Sequence, residues 1–264
     1  MRIFACVRQA LDWSLSTKDF RIDQDSQEPV VAFARYRIDQ FDEIAVEIAL
    51  QAKATSNLEV HALSVGPCAA EDVLKHAIGM GAENATLVEH SRSSVGEVPG
   101  LLAAAMRRLG SRGVVLCGRT GSERGSATTA PLLSELLGVP LLTNVVRMEQ
   151  HAQGWICQRE EARGYERVLV SGPFVASVTN ASFNVPRVPS LKDKMRAHRQ
   201  KIDTISSETL MNEEQYPHCG IAALKVVRRY VPQVERQCTR LSGDVSEQAG
   251  ALADYIHAAV QTLH

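Results

Sequence analysis

What is scarce in these 264 residues narrows the field before any pattern is read. Aromatic residues make up 5% of the chain, too few for the stacking platforms that hold single-stranded nucleic acid. Neither sign of charge prevails. The 29 Lys+Arg and 30 Asp+Glu give a formal net charge of −1, whereas a domain built around nucleic acid carries a basic excess. No apolar run approaches the ~20 residues of a membrane span. The opening Met-Arg-Ile-Phe-Ala-Cys-Val-Arg is shorter than the ~7–15 apolar residues of a secretory signal. The expectation is a cytoplasmic protein with no nucleic acid and no direct membrane insertion. The cysteines Cys6, Cys68, Cys117, Cys157, Cys219 and Cys238 stand far apart with no C-x-x-C pair, which suits reduced thiols better than a disulfide framework. The histidines form no cluster of metal-ligand spacing, so no metal is expected.

Catalytic signatures are missing too. A phosphate-binding P-loop needs a lysine that the glycine-rich stretch after Cys117 lacks, and no G-x-G-x-x-G follows the first strand. No G-x-S-x-G nucleophile elbow occurs. The carboxylates Asp39, Asp42 and Glu43 fall at a helix start, where capping is their ordinary use. No catalytic residue is assigned, and an enzyme is not expected.

What is present is an ordinary globular composition, 45% hydrophobic and 22% charged, in a chain long enough to bury roughly 70–75% of its unfolded surface. Residues 2–7 read as a short buried strand. Phe41, Ile44, Ala45, Ile48 and Ala49 mark one face of a helix, with Asp39 or Asp42 as its cap. A strand over 58–65 ends at Gly66-Pro67. A helix over 70–78, a strand over 85–88, a helix over 98–109, a strand over 113–117 and a helix over 128–137 follow. Strands alternating with helices of this length require crossover connections and a parallel sheet. After Pro140 the segments 141–148, 154–159, 168–170 and 174–178 are strand-like with no long helix between them, so an antiparallel extension is expected. Residues 184–216 are polar, basic and poor in periodic apolar positions, and read as an extended arm. Val245, Ala249, Leu252, Ala253, Ile256, Ala259, Val260 and Leu263 form one face of a terminal helix.

In an open parallel sheet, ligands bind beyond the carboxyl ends of the strands. Three segments lie there: Cys6–Gln9, Val65–Cys68 and Gly118–Thr129. The last holds Gly118, Gly121 and Gly125, which permit tight turns. Ser126, Thr128 and Thr129 sit at a helix start, and Arg119 and Arg124 supply donors suited to phosphate. A solvated strand-to-helix loop would use the same glycines for turning alone, and composition does not separate the two readings.

Over roughly residues 1–200 the chain resembles the β subunit of electron-transfer flavoprotein, in the branch that includes the FixA-like proteins. The resemblance is carried by Phe41-Asp-Glu-Ile-Ala-Val-Glu-Ile-Ala, Ser64-Val-Gly-Pro, Ala77-Ile-Gly-Met-Gly-Ala, Val115-Leu-Cys-Gly-Arg and Asn184-Val-Pro-Arg-Val-Pro-Ser-Leu191, in that order. It implies an α/β fold of the adenine-nucleotide α-hydrolase-like, Rossmann-like kind. The implied division is a nucleotide-binding domain over 1–183, a partner-docking arm over 184–216 and a C-terminal segment over 217–264. It implies a heterodimer with an α subunit that holds FAD, flavin dehydrogenases as electron donors, a quinone oxidoreductase as acceptor, and AMP bound by the β subunit. Carried over position by position, the cofactor pocket would use Cys6, Asp39, Gln40, Phe41, Asp42 and Val65. It would also use Gly118, Arg119, Thr120, Gly121, Ser122, Glu123, Arg124, Gly125, Ser126, Ala127, Thr128 and Thr129. Trp13 and Phe41 would approach the partner's flavin. Pro189, Leu191, Lys192, Lys194 and Met195 would dock dehydrogenases, the leucine filling an apolar pocket and the lysines steering toward acidic surface.

Two departures stand out. Thr128 occupies the place of a glutamine, and Asp39-Gln40 replaces the family's common Asn-Pro; a carboxylate accepts but does not donate. Electron-bifurcating members hold a second FAD in the same pocket, and Arg119, Ser126-Ala127 and Pro131 resemble that subgroup. A freestanding adenine-nucleotide-binding module of related fold is the reading from a different class.

Overall fold

The computed structural model describes residues 2–12, 14, 20–25, 29–31, 35–56, 58–90, 97–110, 113–123, 125–213, 216, 227–231 and 238–261. Its first unit covers residues 1–19 and 31–226. In chain order the N-terminal half gives β1 (Arg2–Cys6), β2 (Gln9–Leu11), β3 (Phe20–Ile22), β4 (Pro29–Val31), β5 (Tyr36–Ile38), α1 (Gln40–Ala54), β6 (Glu59–Gly66), α2 (Glu71–Met80), β7 (Asn84–Glu89) and α3 (Glu97–Arg108). Then come β8 (Val114–Gly118), α4 (Thr129–Leu137), β9 (Leu141–His151), β10 (Gly154–Glu161), β11 (Gly164–Val170) and β12 (Val175–Val178). The chain continues through α5 (Leu191–Arg199), β13 (Asp203–Ser206), α6 (Ser207–Met211) and α7 (Val245–Gln261).

The alternation produces what it requires. A nine-stranded sheet runs β11-β10-β9-β12-β8-β1-β6-β7-β13. Strand β1 lies parallel to both β6 and β8, and its residues Ile3 to Cys6 are buried, as a strand covered on both faces must be. Two apolar layers sandwich the sheet. One joins Ile44 and Ile48 of α1 and Leu74 and Ile78 of α2 to alternate strand residues such as Ile3 and Leu116. The other joins Leu101 and Met106 of α3, Leu133 of α4 and Leu210 of α6 to Phe4, Leu63 and Val115. From β1 the chain steps outward through β6 and β7, then returns to place β8 on the opposite side. Strand order therefore reverses between β1 and β8, which opens a crevice at their carboxyl ends.

The antiparallel extension is β10 between β9 and β11. Strand β12 is the exception to it. It pairs parallel with both β8 and β9, inserted between them rather than added at the edge. All four of its residues are buried, and an interior slot is the position that satisfies such a strand.

The stretch 184–216 departs from the extended arm that its polarity suggests. It holds α5, β13 and α6, and β13 adds to the sheet beside β7. The reason is local. Ser190 caps α5 by accepting a hydrogen bond from the Asp193 amide at 3.2 Å, and Arg196, His198 and Arg199 fill its last turn, where cations are favoured. Among its described residues the buried apolar ones are Pro189, Ala197, Ile202 and Leu210, too sparse to show as a period. Gly79 of α2 makes the approach feasible: a β-carbon there would stand 3.3 Å from the Pro189 ring.

The second unit covers residues 20–30 and 227–264. Within it, α7 opens on a capping box: Asp244 Oδ1 accepts from the Glu247 amide and Glu247 Oε2 accepts from the Asp244 amide, both at 2.9 Å. None of its side chains is buried. Among the described residues no helix is long and apolar enough to cross a membrane.

Candidate functional site

A cavity of about 260 Å³ opens at the crevice where strand order reverses. Its floor is the pair Cys6 and Cys117, one rung beyond the Ala5–Leu116 pairing of β1 and β8. A hydrogen bond to Cys117, with burial adding to it, pushes the Cys6 thiol well above its usual range. Leu63, Val65, Val98 and Leu102 form an apolar wall. Opposite lie Arg8, Asp42 and the loop from Gly118 to Thr129.

That loop is tied down by the start of α1. Asp39 caps the helix, accepting from the Phe41 amide at 3.2 Å. Its other oxygen accepts from the Ser122 amide at 2.9 Å and the Ser122 hydroxyl at 2.6 Å, and Arg8 Nη2 lies 3.2 Å from the same oxygen. One turn further on, Asp42 accepts from the Gly118 amide at 3.1 Å and the Arg8 amide at 3.0 Å. Gly118 has to be glycine, because a β-carbon there would overlap Asp42 and Phe41. Burial raises the Asp42 carboxyl to about 7 against the opposing pull of the Arg8 guanidinium. Arg119 stands over the Phe41 ring, 5.1 Å from its centre, a cation–π contact that fixes the arginine at the rim.

Further along, Gly125 and Ala127 both adopt positive φ, 61° and 53°. The left-handed alanine is strain of the kind that collects at ligand sites. Helix α4 then begins without a side-chain cap, the Thr128 hydroxyl turning instead to Ser126 Oγ at 3.2 Å. The Thr129 and Ala130 amides thus have no side-chain cap or intrahelical acceptor at the cavity's edge, and Pro131 has no amide to satisfy. Thr120 Oγ1 is buried with no hydrogen-bond partner, as is Arg8 Nε. A buried hydroxyl without a partner is costly and asks for an explanation. Beside the carboxylates Asp42 and Glu123, this wall carries the Arg119 guanidinium and the hydroxyls of Thr120, Ser126, Thr128 and Thr129, donors suited to an anion, together with an apolar surface suited to a flat ring.

Cys6, Asp42, Val65, Gly118, Arg119, Thr120, Gly121, Glu123, Gly125, Ser126, Ala127, Thr128 and Thr129 all line the cavity. Asp39, Gln40, Phe41 and Ser122 do not: Asp39 and Ser122 are spent on each other, Phe41 supports Arg119, and Gln40 is exposed. Trp13 and Arg124 lie outside the described residues. On α5, Leu191 is 76% exposed and Met195 51% exposed, one helical turn apart, with Lys192 and Lys194 exposed beside them. Pro189 is buried against Gly79 instead.

Sequence reasoning missed His90, which lines the far end of the cavity. It is held between the Ser207 hydroxyl at 3.0 Å and Glu97 at 3.1 Å. The available signal was its place directly after β7, a fourth strand end at the same crevice. It also gave no role to Glu47 of α1. That carboxylate receives the Arg187 amide, Nε and Nη2 at 3.1, 2.8 and 3.0 Å. Among the described residues no group of three or more His, Cys, Asp or Glu is placed to hold a metal ion.

Fold and cavity together define a doubly wound α/β protein with a cavity at the reversal of strand order and no metal centre among the described residues. The electron transfer flavoprotein domain matches residues 30–210. The chain belongs to that family, on its β-subunit branch. It is 26% identical to the electron transfer flavoprotein subunit beta of Thermoanaerobacterium thermosaccharolyticum, over 97% of this chain and 98% of that one. Against the subunit beta of Bacillus subtilis the identity is also 26%, over 87% of this chain and 89% of that one. The acryloyl-CoA reductase electron transfer subunit gamma of Anaerotignum propionicum is 26% identical, over 81% of this chain and 80% of that one.

Proposed function

We propose that this chain is the β half of a heterodimeric electron transfer flavoprotein and that its cavity holds AMP as a structural ligand. The α partner would carry the redox-active FAD. Flavin dehydrogenases would donate electrons to it and a quinone oxidoreductase would accept them. The observation that carries the nucleotide reading is the uncapped start of α4 beside Arg119 and the partnerless Thr120 hydroxyl. A phosphate there would accept from the helix amides and from Ser126, Thr128 and Thr129. The adenine ring would lie on the Val65–Leu102 wall. Asp39, although a carboxylate, does not spoil this arrangement, because Ser122 and Arg8 already occupy it.

Leu191, exposed at the start of α5 with Met195 a turn later, supports a docking role for that helix. An apolar anchor rimmed by lysines fits an apolar pocket with an acidic margin. The test is to co-express the chain with its α partner, denature the heterodimer and identify what is released. One FAD and one AMP per heterodimer is the expected count. Two FADs would replace AMP by a second flavin in the same cavity. Release of no nucleotide from this chain would overturn the reading of the cavity. A chain that is stable alone, with no flavin-bearing partner, would make it a freestanding nucleotide-binding module.

A further inference from the structure

Asp42 stands in an unusual position for a carboxylate at a nucleotide site. It reaches into the crevice from α1 and takes both main-chain donors at the reversal point, the Arg8 amide after β1 and the Gly118 amide at the end of β8. Arg8 and Gly118 both line the cavity. The side chain therefore joins α1 to the chain just beyond the Ala5–Leu116 end of the β1–β8 pairing.

We propose that Asp42 is a proton-operated latch on the cavity: ionised, it holds the Arg8 and Gly118 amides beyond β1 and β8 firmly, and protonated, it holds them weakly enough for a ligand anion to compete for them. The proposal concerns regulation of the site, and only its second test rests on reading that site as nucleotide-binding.

The surroundings of Asp42 set the direction. From β1 it faces the Cys6 thiol and the Arg8 guanidinium, whose Nε lies 3.6 Å from Oδ2. From the end of β8 it faces Cys117 and Arg119, and from the helix cap the second carboxylate, Asp39. Glu43 turns away to His76 at 2.7 Å, and Glu123 turns to the Leu11 amide at 3.2 Å. One guanidinium thus serves two buried carboxylates, and the charge of Asp39 adds to burial in disfavouring an ionised Asp42. Burial brings the Asp42 carboxyl to about 7, inside the neutral range. Protonation has two effects of the same sign on an anionic ligand. It weakens the acceptor that holds two amides, and it removes a negative charge from the cavity wall. Anion retention is therefore stronger below neutrality and weaker above it.

The first test needs no ligand. In the full-length protein labelled with nitrogen-15, the amide signals of Gly118 and Arg8 should titrate together with one midpoint near neutral pH. Both titrations should vanish in Asp42→Asn. Amides that do not titrate, or that titrate unchanged in the variant, would overturn the latch. The second test uses AMP as the probe. Its affinity for the wild-type protein should fall between about pH 6 and about pH 8 by more than in Asp42→Asn, approaching at most tenfold per pH unit for one linked proton. Equal pH dependence in the two proteins would refute the coupling. If AMP fails to bind at any pH, the nucleotide reading fails, and the amide titration still decides the latch.

Discussion

Replacing Arg187 by alanine removes the guanidinium that holds Glu47 and leaves that carboxylate nearly buried. The Glu47 side chain is 6% exposed and that of Arg187 46%. The substitution strips two charge-assisted hydrogen bonds, from Nε at 2.8 Å and Nη2 at 3.0 Å. It leaves Glu47 the main-chain amide of position 187 and the Gln51 amide group at 3.1 Å. Breaking a fully buried pair by removing one partner costs about 3–5 kcal/mol, and the half-exposed arginine lowers that to about 2–3 kcal/mol. With a denaturant slope near the upper end for small domains, the urea midpoint should fall by about 1 M. The pH dependence identifies the cause. Burial alone would raise the Glu47 carboxyl, but the Arg187 guanidinium and amide hold it below its usual value. A lowered folded-state value contributes stability that is present above about pH 4.5 and is lost as pH falls through the folded value. The gap between wild type and Arg187→Ala should therefore be wide at neutral pH and narrow below about pH 4. Arg187→Lys should fall between the two, keeping charge but losing the two-pronged geometry. The assay is urea unfolding followed by circular dichroism at both pH values. Identical midpoints at neutral pH, or a gap that does not change with pH, would refute the reasoning.

Gly118→Ala should displace Asp42 and Phe41 together, abolish AMP binding and lower stability by about 2 kcal/mol or more; calorimetry and thermal unfolding check both. Leu191→Ala removes an exposed anchor and should slow electron transfer from the donor dehydrogenase, read by stopped-flow, with no change in bound nucleotide. Thiol labelling followed by peptide mapping should modify exposed Cys68 and Cys238 first. Cys157, whose thiol burial raises to about 12, should stay unmodified until the protein unfolds.

The local rules in this chain are strong wherever a helix or strand carries a full period. The face Ile44-Ala45-Ile48-Ala49 specifies α1 and leaves its cap to Asp39 or Asp42, and the alternation from β1 to α4 specifies a parallel sheet with crossovers. The glycine-rich stretch after Cys117 marked the loop at the cavity for the same reason: glycines and hydroxyls at a strand-to-helix junction constrain the backbone within a few residues. Three things were decided only in three dimensions. The buried run Val175–Val178 reads as a strand, yet its slot between β8 and β9 follows from the need to cover both of its faces. Helix α5 and strand β13 hold too few apolar residues to announce themselves, and they form because Gly79, Pro189 and the free edge of β7 receive them. Asp39 and Asp42, three residues apart on one helix start, look alike in sequence. Tertiary structure gives one to Ser122 as a strap and turns the other into the crevice, because the Ser122, Arg8 and Gly118 donors are brought from elsewhere in the chain.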